Sequence, residues 1–334
     1  MKRPIIIAGG GLAGLALGLA LRRRDVRVTI VEAASFPRHR VCGEFISGIA
    51  PAELEALGIA DLFTSAQRHV STAWFEDGRR RFRAQLPSAA YGLSRHFLDH
   101  AMAERFAQMG GAIRTGERHE EDGEGVVWAS GRPRAETGWL GLKAHYEGLE
   151  LSDDLEIHIQ DGGYVGLTRV EDGRVNVCGL FRRARVHGES ALVSACEGAG
   201  FSSLAERLRG ARSVAGSLKG VTNFVLGWQA APPDRLCIGD AAAMIPPFTG
   251  NGMTMALQSA LAAADEVAAW SRGGGTWRET ACRVRTRLRK NFGRRLRWAR
   301  IFQAIMLHRS ARRLALGVMS SGLIPFETLY TKVR

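Results

Sequence analysis

The chain lacks any apolar run long enough to cross a membrane, and its 334 residues include only five cysteines. These cysteines lie far apart, so they form neither a disulfide framework nor the ligand spacing of a zinc site. The first residues also lack the basic, apolar and small-residue regions of a secretory signal. We therefore expect a cytoplasmic protein with reduced thiols and no bound metal.

The net charge of +13 is concentrated at one end of the chain. Residues 272–334 contain 16 lysines and arginines against two acidic residues, whereas the remainder holds 30 basic and 31 acidic side chains. The overall composition, with 46% hydrophobic and 24% charged residues, is that of a globular protein. It excludes wholesale disorder and a membrane-spanning bundle.

A glycine-rich turn follows the first strand-like run, Pro4 to Ala8, and precedes a helical stretch that ends near Arg24. The turn fits G-x-G-x-x-G, in which glycines permit a tight turn, backbone approach to a pyrophosphate and close helix–strand packing. Glu32 ends the next strand-like run, where a carboxylate can accept hydrogen bonds from adenosine ribose hydroxyls. The alternative is a tight strand–helix turn without a ligand, and at this point NAD and FAD remain equally compatible. The predicted nucleotide-binding residues here are Gly9, Gly11, Ala13, Gly14 and Glu32.

A second glycine-rich turn, more than 220 residues later, favours FAD over NAD. The strand-like run at Leu236 to Ile238 ends in Gly-Asp and leads to a turn before a long alanine-rich helix, Asn251 to Trp270. The carboxylate of Asp240 can bind a ribityl hydroxyl, and the turn offers backbone N–H groups at a helix N-terminus. A helix cap with an irregular loop is the structural alternative. The predicted residues are Gly239, Asp240, Pro246, Gly250, Asn251 and Gly252.

Residues Phe36 to Glu44 read FPRHRVCGE and resemble the Phe-Pro-Arg-x-Lys-x-Cys-Gly-Glu signature of geranylgeranyl-reductase-like flavoproteins, a branch of the p-hydroxybenzoate-hydroxylase fold. The resemblance covers about Ile5 to Val267. It implies that FAD is the cofactor, with NAD(P)H or another electron carrier as reductant. The residues that it places at the flavin are Arg40, Cys42, Gly43 and Arg95.

The chain departs from that branch at three places. Arg40 replaces the lysine of the signature, and Ser130 replaces the aspartate of an Ala-Asp-Gly-Arg motif. Residues 164–167 read YVGL, where reductases show Tyr-x-Trp-x-Phe-Pro. The Trp-x-Trp-x-Ile-Pro signature of flavin halogenases is also missing from the sequence.

Three residues are candidates for catalysis. The thiol of Cys42 could transfer a proton or act as a redox partner, since Arg38 and Arg40 would favour its thiolate. His145 and Tyr164 are candidate acid/base groups at the start of the predicted substrate sheet. For all three residues the alternative is a structural role. His96 and His100 have the spacing of a helical pair but no acidic partner, so we predict no metal site there.

We predict an α/β fold with a Rossmann-like nucleotide lobe, an inserted antiparallel substrate sheet and C-terminal helices. The FAD-binding domain would comprise residues 1–135 and 211–271. The substrate-binding sheet would span residues 136–210, and the basic helical segment residues 272–334. The antiparallel sheet is indicated by short strands separated by Asp-Gly pairs.

The basic segment carries an apolar stripe at helical spacing: Val284, Leu288, Phe292, Leu296, Ala299 and Phe302. Such a helix could lie on an anionic membrane, which would make the protein peripheral to the inner face of that membrane. Alternatively, the stripe packs on the protein core while the arginines face water. Binding to nucleic acid is disfavoured, because the segment has no recognisable nucleic-acid-binding signature.

The sequence therefore predicts an FAD-dependent oxidoreductase that acts on a hydrophobic small molecule, isoprenoid or polyketide-like, by double-bond reduction or dehydrogenation. An aromatic monooxygenase that uses NAD(P)H and O₂ is the alternative enzyme. A flavin-containing protein that binds membrane or nucleic acid is the alternative outside enzymology. All three use the same cofactor site.

Overall fold

The computed structural model describes residues 2–132, 138–182, 186, 188, 190–222 and 225–334. The strands are β1 (Ile5–Ala8), β2 (Val28–Glu32), β3 (Phe45–Ile46), β4 (Gln67–Glu76), β5 (Arg79–Gly92), β6 (Ala112–Thr115), β7 (Val126–Trp128), β8 (Trp139–Glu147), β9 (Leu155–Gln160), β10 (Gly163–Arg169), β11 (Val175–Arg182), β12 (Arg212–Ser213), β13 (Lys219–Thr222), β14 (Gly227–Trp228), β15 (Leu236–Cys237) and β16 (Ala243–Met244). The α-helices are α1 (Leu12–Arg22), α2 (Pro51–Leu57), α3 (Arg95–Gln108), α4 (Ala191–Gly198), α5 (Ser202–Arg209), α6 (Gly252–Ser271), α7 (Trp277–Leu307), α8 (Arg309–Ser320) and α9 (Phe326–Lys332).

A parallel five-stranded sheet in the order β15-β7-β1-β2-β6 forms the nucleotide lobe. Its central strand β1 has Ile5 and Ile7 fully buried, as expected for a sheet covered on both faces. The helices α1, α3 and α6 belong to the same core as these strands. The predicted Rossmann-like lobe is therefore confirmed, with β7 pairing beside β1 and β15 beside β7.

The second sheet has nine strands, with β13 paired on β8 beside the path β12-β8-β11-β10-β9-β4-β5-β3. It is antiparallel except where β4 runs parallel to β9. One face packs under α4 and α5, and the other packs against α8 and the end of α7 and lines a cavity. The predicted antiparallel strands are present, but the sheet also takes strands from residues 45–92 and 212–222. The domain boundaries remain a prediction, and the one at residues 135 and 136 lies outside the described residues.

The helix α7 contains the predicted apolar stripe and begins with a capping box between Thr276 and Glu279. Val284, Leu288 and Ala299 of the stripe are buried in the core of the nucleotide lobe. Of the two predicted alternatives for the stripe, packing on the protein is thus the one observed. None of the helices in the described ranges combines the length and the apolarity needed to cross a bilayer.

The helix α8 is fixed to the second sheet by a buried arginine. Arg312 is 1% exposed and pairs with Glu76 and Asp161, each at 2.8 Å. It also donates a hydrogen bond to the carbonyl of Met306 at 3.1 Å. A buried guanidinium with three acceptors fixes the orientation of α8 against β4, because rotation of the helix would leave the charge unpaired.

Candidate functional site: a cofactor cavity beside an apolar cavity

The three glycines of the first turn have different environments. A Cβ on Gly9 would lie 2.4 Å from the carbonyl oxygen of Ala129, and one on Gly14 would lie 2.0 Å from that of Gly9. These two glycines therefore permit α1 to pack closely on the sheet. A Cβ on Gly11 would meet only the guanidinium groups of Arg95 and Arg40, at 3.8 and 3.9 Å. Gly11 faces a cavity rather than the packed interior.

Three arginines converge on the N-terminus of α1, and their charges are incompletely balanced. Arg38 pairs with Glu32 at 2.7 Å and Arg95 with Asp99 at 2.6 Å, but Arg40 lies 3.9 Å from Glu32. The buried Nε of Arg40 has no hydrogen-bond partner in the part of the chain that the structure describes. Burial and the neighbouring arginines lower the pKa of Arg40 to about 10. An anion here would relieve this repulsion and bind the helix N-terminus, so the site fits the diphosphate of FAD.

The carboxylate of Glu32 lies at the end of β2, as the sequence predicts, but both of its oxygens already accept hydrogen bonds from the backbone. Its Oε2 accepts a hydrogen bond from Gly10 N at 2.7 Å, and its Oε1 accepts one from Ala34 N at 3.0 Å. Burial alone would raise the pKa of Glu32, but Arg38 outweighs burial and holds it below its ordinary value. An ionised carboxylate keeps acceptor capacity for a ribose hydroxyl.

The second turn lies opposite the first across one cavity of about 340 Å³. Asp240 lines this cavity and makes no hydrogen bond to the rest of the described chain. Burial raises the pKa of Asp240, although Arg132, Arg95 and Arg40 oppose that effect. A carboxyl group without a hydrogen-bond partner among the described residues suits a polyhydroxylated chain such as ribityl. The predicted residues that line the cavity are Gly11, Ala13, Arg40, Gly43, Arg95, Gly239, Asp240, Gly250 and Gly252.

Five predicted cofactor residues do not line that cavity. Three of them lie on the side of the first turn away from the cavity. Gly9 and Gly14 pack against backbone, and Glu32 accepts a hydrogen bond from Gly10 N. Asn251 is buried and donates its side-chain N–H to the carbonyl of Val333, so it holds the C-terminal segment on the turn. Pro246 lies outside the cavity, while the adjacent Pro247 lines it.

A second, apolar cavity of about 190 Å³ adjoins the first. Both are bounded by Cys42, Gly43, Arg132, Met244 and Pro247. The sheet contributes alternate residues of β4, β9, β10 and β11 to its wall, and α7, α8 and α9 close it from the other side. Most of this wall escaped prediction, because residues such as Trp74 and Met319 carry no motif and meet only in the folded chain.

Tyr164 is the one candidate catalytic residue that is fully enclosed at the apolar cavity. It is 6% exposed, and its hydroxyl has no hydrogen-bond partner within the described ranges. Its ring meets Phe248 edge-on, with the centroids 5.2 Å apart. Burial holds the pKa of Tyr164 well above its ordinary value, so it presents a neutral phenol that can donate a hydrogen bond.

Cys42 lies in the wall between the two cavities, but its predicted thiolate character is wrong. Burial raises the pKa of the Cys42 thiol and outweighs the opposing charge of Arg95. Its sulfur accepts a weak hydrogen bond from Glu44 N at 3.4 Å, and Asn176 holds its carbonyl at 3.0 Å. The thiol is therefore protonated at neutral pH, because the arginines that the sequence suggested do not offset its desolvation.

His145 does not line either cavity. Instead it belongs to a buried cluster on Glu44, with its Nε2 2.5 Å from the carboxylate. The ammonium of Lys143 lies 3.3 Å from the same carboxylate and 3.1 Å from Nδ1 of His39. Burial and Lys143 lower the pKa of His39 to about 3, so its imidazole is a neutral acceptor. The cluster joins the second sheet to the segment that bounds the cofactor cavity.

Sequence reasoning missed Lys143 and gave no role to Glu44. The signal for Glu44 is its position directly after Cys42 and Gly43 in the quoted signature. Lys143 offers a weaker signal, an amine directly after the apolar residues 139–142 of β8. Burial of both groups, at 0% exposure, appears only when β8 packs against the signature segment.

The cofactor site predicts the behaviour of two variants. Gly11→Val fills open space without a backbone clash, and Asp240→Ala removes the unpaired carboxyl. Each variant should retain FAD at least about tenfold more weakly, a loss of about 1.4 kcal/mol or more. Titration of the apoprotein by quenching of FAD fluorescence measures this loss. Gly198→Ala, which meets no atom within 4 Å, is the control and should bind FAD normally. Normal FAD binding by both test variants would show that this cavity is not the FAD site.

The raised pKa of Cys42 predicts low thiol reactivity. At pH 7.5, iodoacetamide should modify the exposed Cys282 well before Cys42, as measured by peptide mass spectrometry over time. Because the thiol must ionise first, modification of Cys42 should accelerate as the pH rises. Faster labelling of Cys42 than of Cys282 at pH 7.5 would restore the thiolate hypothesis.

The Glu44 cluster predicts a large loss of stability. Glu44→Gln leaves Lys143 without its counter-charge and should lower the free energy of unfolding by about 3 kcal/mol in urea titrations. The control Glu117→Gln breaks an exposed pair with Arg114 and should cost less than about 1 kcal/mol. The double variant Glu44→Gln/Lys143→Met should recover part of the lost stability. If Glu44→Gln costs no more stability than Glu117→Gln, the cluster is not stabilising.

The same carboxylate predicts a pH dependence. Burial would raise the pKa of Glu44, but His145 and Lys143 outweigh burial and lower it. The stabilisation is therefore present above the ordinary value of 4.5 and is lost as the pH falls through the lowered pKa. The stability gap between wild type and Glu44→Gln should narrow in acid.

Comparison with known proteins agrees with this cofactor site. Residues 2–146 match the FAD binding domain family. A segment of 68 residues is 35% identical to menaquinone reductase of Mycolicibacterium smegmatis, but it covers only 20% of this chain and 17% of that protein.

Solved structures show the fold across almost the whole chain. The p-nitrophenol 4-monooxygenase PnpA of Pseudomonas putida is 14% identical, with a TM-score of 0.76 over 99% of this chain and 96% of its own. The flavin-dependent brominase Bmp2 is 16% identical, with a TM-score of 0.73 over 99% and 94%. PqsL of Pseudomonas aeruginosa is 17% identical, with a TM-score of 0.71 over 92% and 98%. Residues 2–146 are therefore similar to an FAD-binding domain, and the chain has the fold of these flavin-dependent monooxygenases and halogenases.

Proposed function

We propose that this chain reduces or dehydrogenates a double bond in a hydrophobic small molecule, isoprenoid or polyketide-like, with FAD as its redox group. The observation that carries the proposal is the wall shared by the two cavities. A dinucleotide whose diphosphate lies at Gly11 and whose ribityl chain lies at Asp240 would direct its flavin end towards that wall. A molecule in the apolar cavity would then lie beside it.

The apolar cavity supports a substrate with a largely hydrocarbon skeleton and a few oxygen functions. Its wall is formed mainly by aliphatic, methionine and aromatic side chains. Three of its buried polar atoms have no hydrogen-bond partner among the residues that the structure describes: Thr72 Oγ1, Trp74 Nε1 and Tyr164 Oη. Buried polar groups are normally hydrogen-bonded, so these three favour a ligand that carries oxygen.

FAD, when bound, would accept or donate a hydride, and the protein would bind and orient the reactants. Tyr164 would donate a hydrogen bond to a substrate oxygen, and the enclosing helices would exclude water from the cavity. Two similarities support double-bond reduction by this chain. The Phe36–Glu44 segment resembles the signature of geranylgeranyl-reductase-like flavoproteins, and a 68-residue segment is similar to menaquinone reductase. NAD(P)H or another electron carrier would supply the reducing equivalents.

A second candidate is an aromatic monooxygenase that uses NAD(P)H and O₂. The arrangement of Phe248 favours it, because this ring meets both Trp74 and Tyr164 edge-on, at 5.5 and 5.2 Å between centroids. Such an aromatic corner suits a planar ring. The two candidates differ in their need for oxygen, so an anaerobic experiment separates them.

A cavity-filling variant tests whether the apolar cavity is the substrate site. Gly166 lines the apolar cavity, where the nearest atom to an added Cβ is 3.6 Å away, so Gly166→Leu would occupy substrate space. FAD-loaded protein is photoreduced without oxygen and then mixed with menadione, and reoxidation is followed by absorbance. The wild type should show saturable reoxidation, which Gly166→Leu should slow at least about tenfold while retaining FAD.

The control for this experiment is Gly123→Leu, on a residue whose added Cβ would meet no atom within 4 Å. Equal reoxidation by Gly166→Leu and wild type would exclude the apolar cavity as the substrate site. A parallel reaction with p-nitrophenol, NADPH and air tests the second candidate. Product formation there, without anaerobic reoxidation by menadione, would favour the monooxygenase.

A further inference from the structure

Exposed large apolar side chains are unevenly distributed over the described surface. Four of the five such residues lie between residues 301 and 324. Leu314 is 70% exposed and Leu323 is 79% exposed, while Ile301 and Ile324 are about two-fifths exposed at 41% and 42%. Isolated exposed residues need no explanation, but this clustering within one short segment does.

The exposed residues belong to helices whose opposite faces are buried. On α8, Leu316 and Met319 pack against the second sheet, and Arg312 anchors that face. Leu314 therefore points away from the protein, half a turn from the anchored face. Leu323 and Ile324 follow in the turn between α8 and α9. The orientation of Leu314 is fixed by packing on the other side of α8.

Basic side chains lie on the same helices, α7 and α8, that carry Ile301 and Leu314. Arg294, Arg297 and Ile301 recur at spacings of three and four, so they share one face of α7. No carboxylate lies within 4 Å of Arg294, Arg297 or Arg300 in the described part of the chain. Arg309 and Arg313 flank Leu314 in sequence, and Arg313 has only distant pairs, at 3.7 and 3.8 Å. The surface thus combines excess positive charge with exposed leucine and isoleucine.

We propose that this surface, formed by the end of α7, the outer face of α8 and the turn at residues 321–325, binds an anionic lipid bilayer. Arginines would contact lipid phosphates while Leu314, Leu323 and Ile324 enter the interfacial region. Charge complementarity favours this partner, and exposed leucines add an apolar contribution that a nucleic acid would not use. The buried stripe of α7, which the sequence suggested for membrane binding, takes no part.

The same helices enclose the apolar cavity from within. Phe302, Met306 and Met319 line the cavity on the inner side of α7 and α8. A bilayer on the outer side would lie one helix diameter, about 10 Å, from the cavity. The membrane surface is inferred from exposure and charge alone, so it stands independently of the reaction proposed above.

Vesicle flotation with the full-length, FAD-loaded protein tests this proposal. The wild type should bind phosphatidylglycerol vesicles, bind phosphatidylcholine vesicles weakly, and dissociate as salt is added. Leu323→Ser/Ile324→Ser and Arg294→Gln/Arg297→Gln should each weaken partitioning at least about tenfold. The matched controls are Trp228→Ser, at the fifth exposed apolar residue, and Arg272→Gln/Arg278→Gln.

Retention of FAD and an unchanged melting temperature verify that each variant is folded. Equal binding by test and control variants would overturn the proposal. If only the arginine variant loses vesicle binding, the turn at residues 321–325 does not enter the bilayer, and that part of the proposal is wrong. A third outcome would also overturn the proposal: the wild type does not bind vesicles but forms dimers, as measured by light scattering, and Leu323→Ser/Ile324→Ser is monomeric. The surface would then bind a second copy of the chain instead of a bilayer.

Discussion

Close packing of α1 on the parallel sheet is the constraint on which the cofactor site depends. Only glycines at positions 9 and 14 allow the helix to begin where it does, because a side chain at either would overlap a backbone carbonyl. The N-terminus of α1 is thereby aimed at a space that Gly11 leaves open. Arg40 and Arg95 face the same space from two other segments. Helix dipole and guanidinium charge then act on one anion.

The wall between the cavities shows why two sheets are needed. The segment Val41 to Gly43 bounds both cavities, and it is held by Asn176 and by the cluster around Glu44. The cluster is costly to bury, since Glu44 and Lys143 are both removed from water. Each charge compensates the other, and the arrangement fixes the second sheet against the nucleotide lobe. The shared wall of the two cavities therefore depends on the contact between the two sheets.

The C-terminal helices give this chain its enclosed apolar cavity. Their inner faces supply methionine and phenylalanine side chains, which adapt to irregular ligands. Arg312 fixes α8 in register with the sheet through two carboxylates at 2.8 Å, whereas the exposed Arg313 makes only longer pairs, at 3.7 and 3.8 Å. One element can thus line a substrate space and present a surface to a partner.

The sequence by itself determined the nucleotide lobe, because its signals are local. The G-x-G-x-x-G turn and the Gly239-Asp240 turn lie on one cavity in the folded chain, and Glu32 at the end of β2 accepts a hydrogen bond from Gly10 in the first turn. Tertiary structure decided what local patterns leave open. The stripe of α7 is the same pattern whether it meets lipid or protein, and only the fold shows that it is buried. The ionisation of Cys42 depends on desolvation by distant segments, and Lys143 meets Glu44 across a separation of 99 residues.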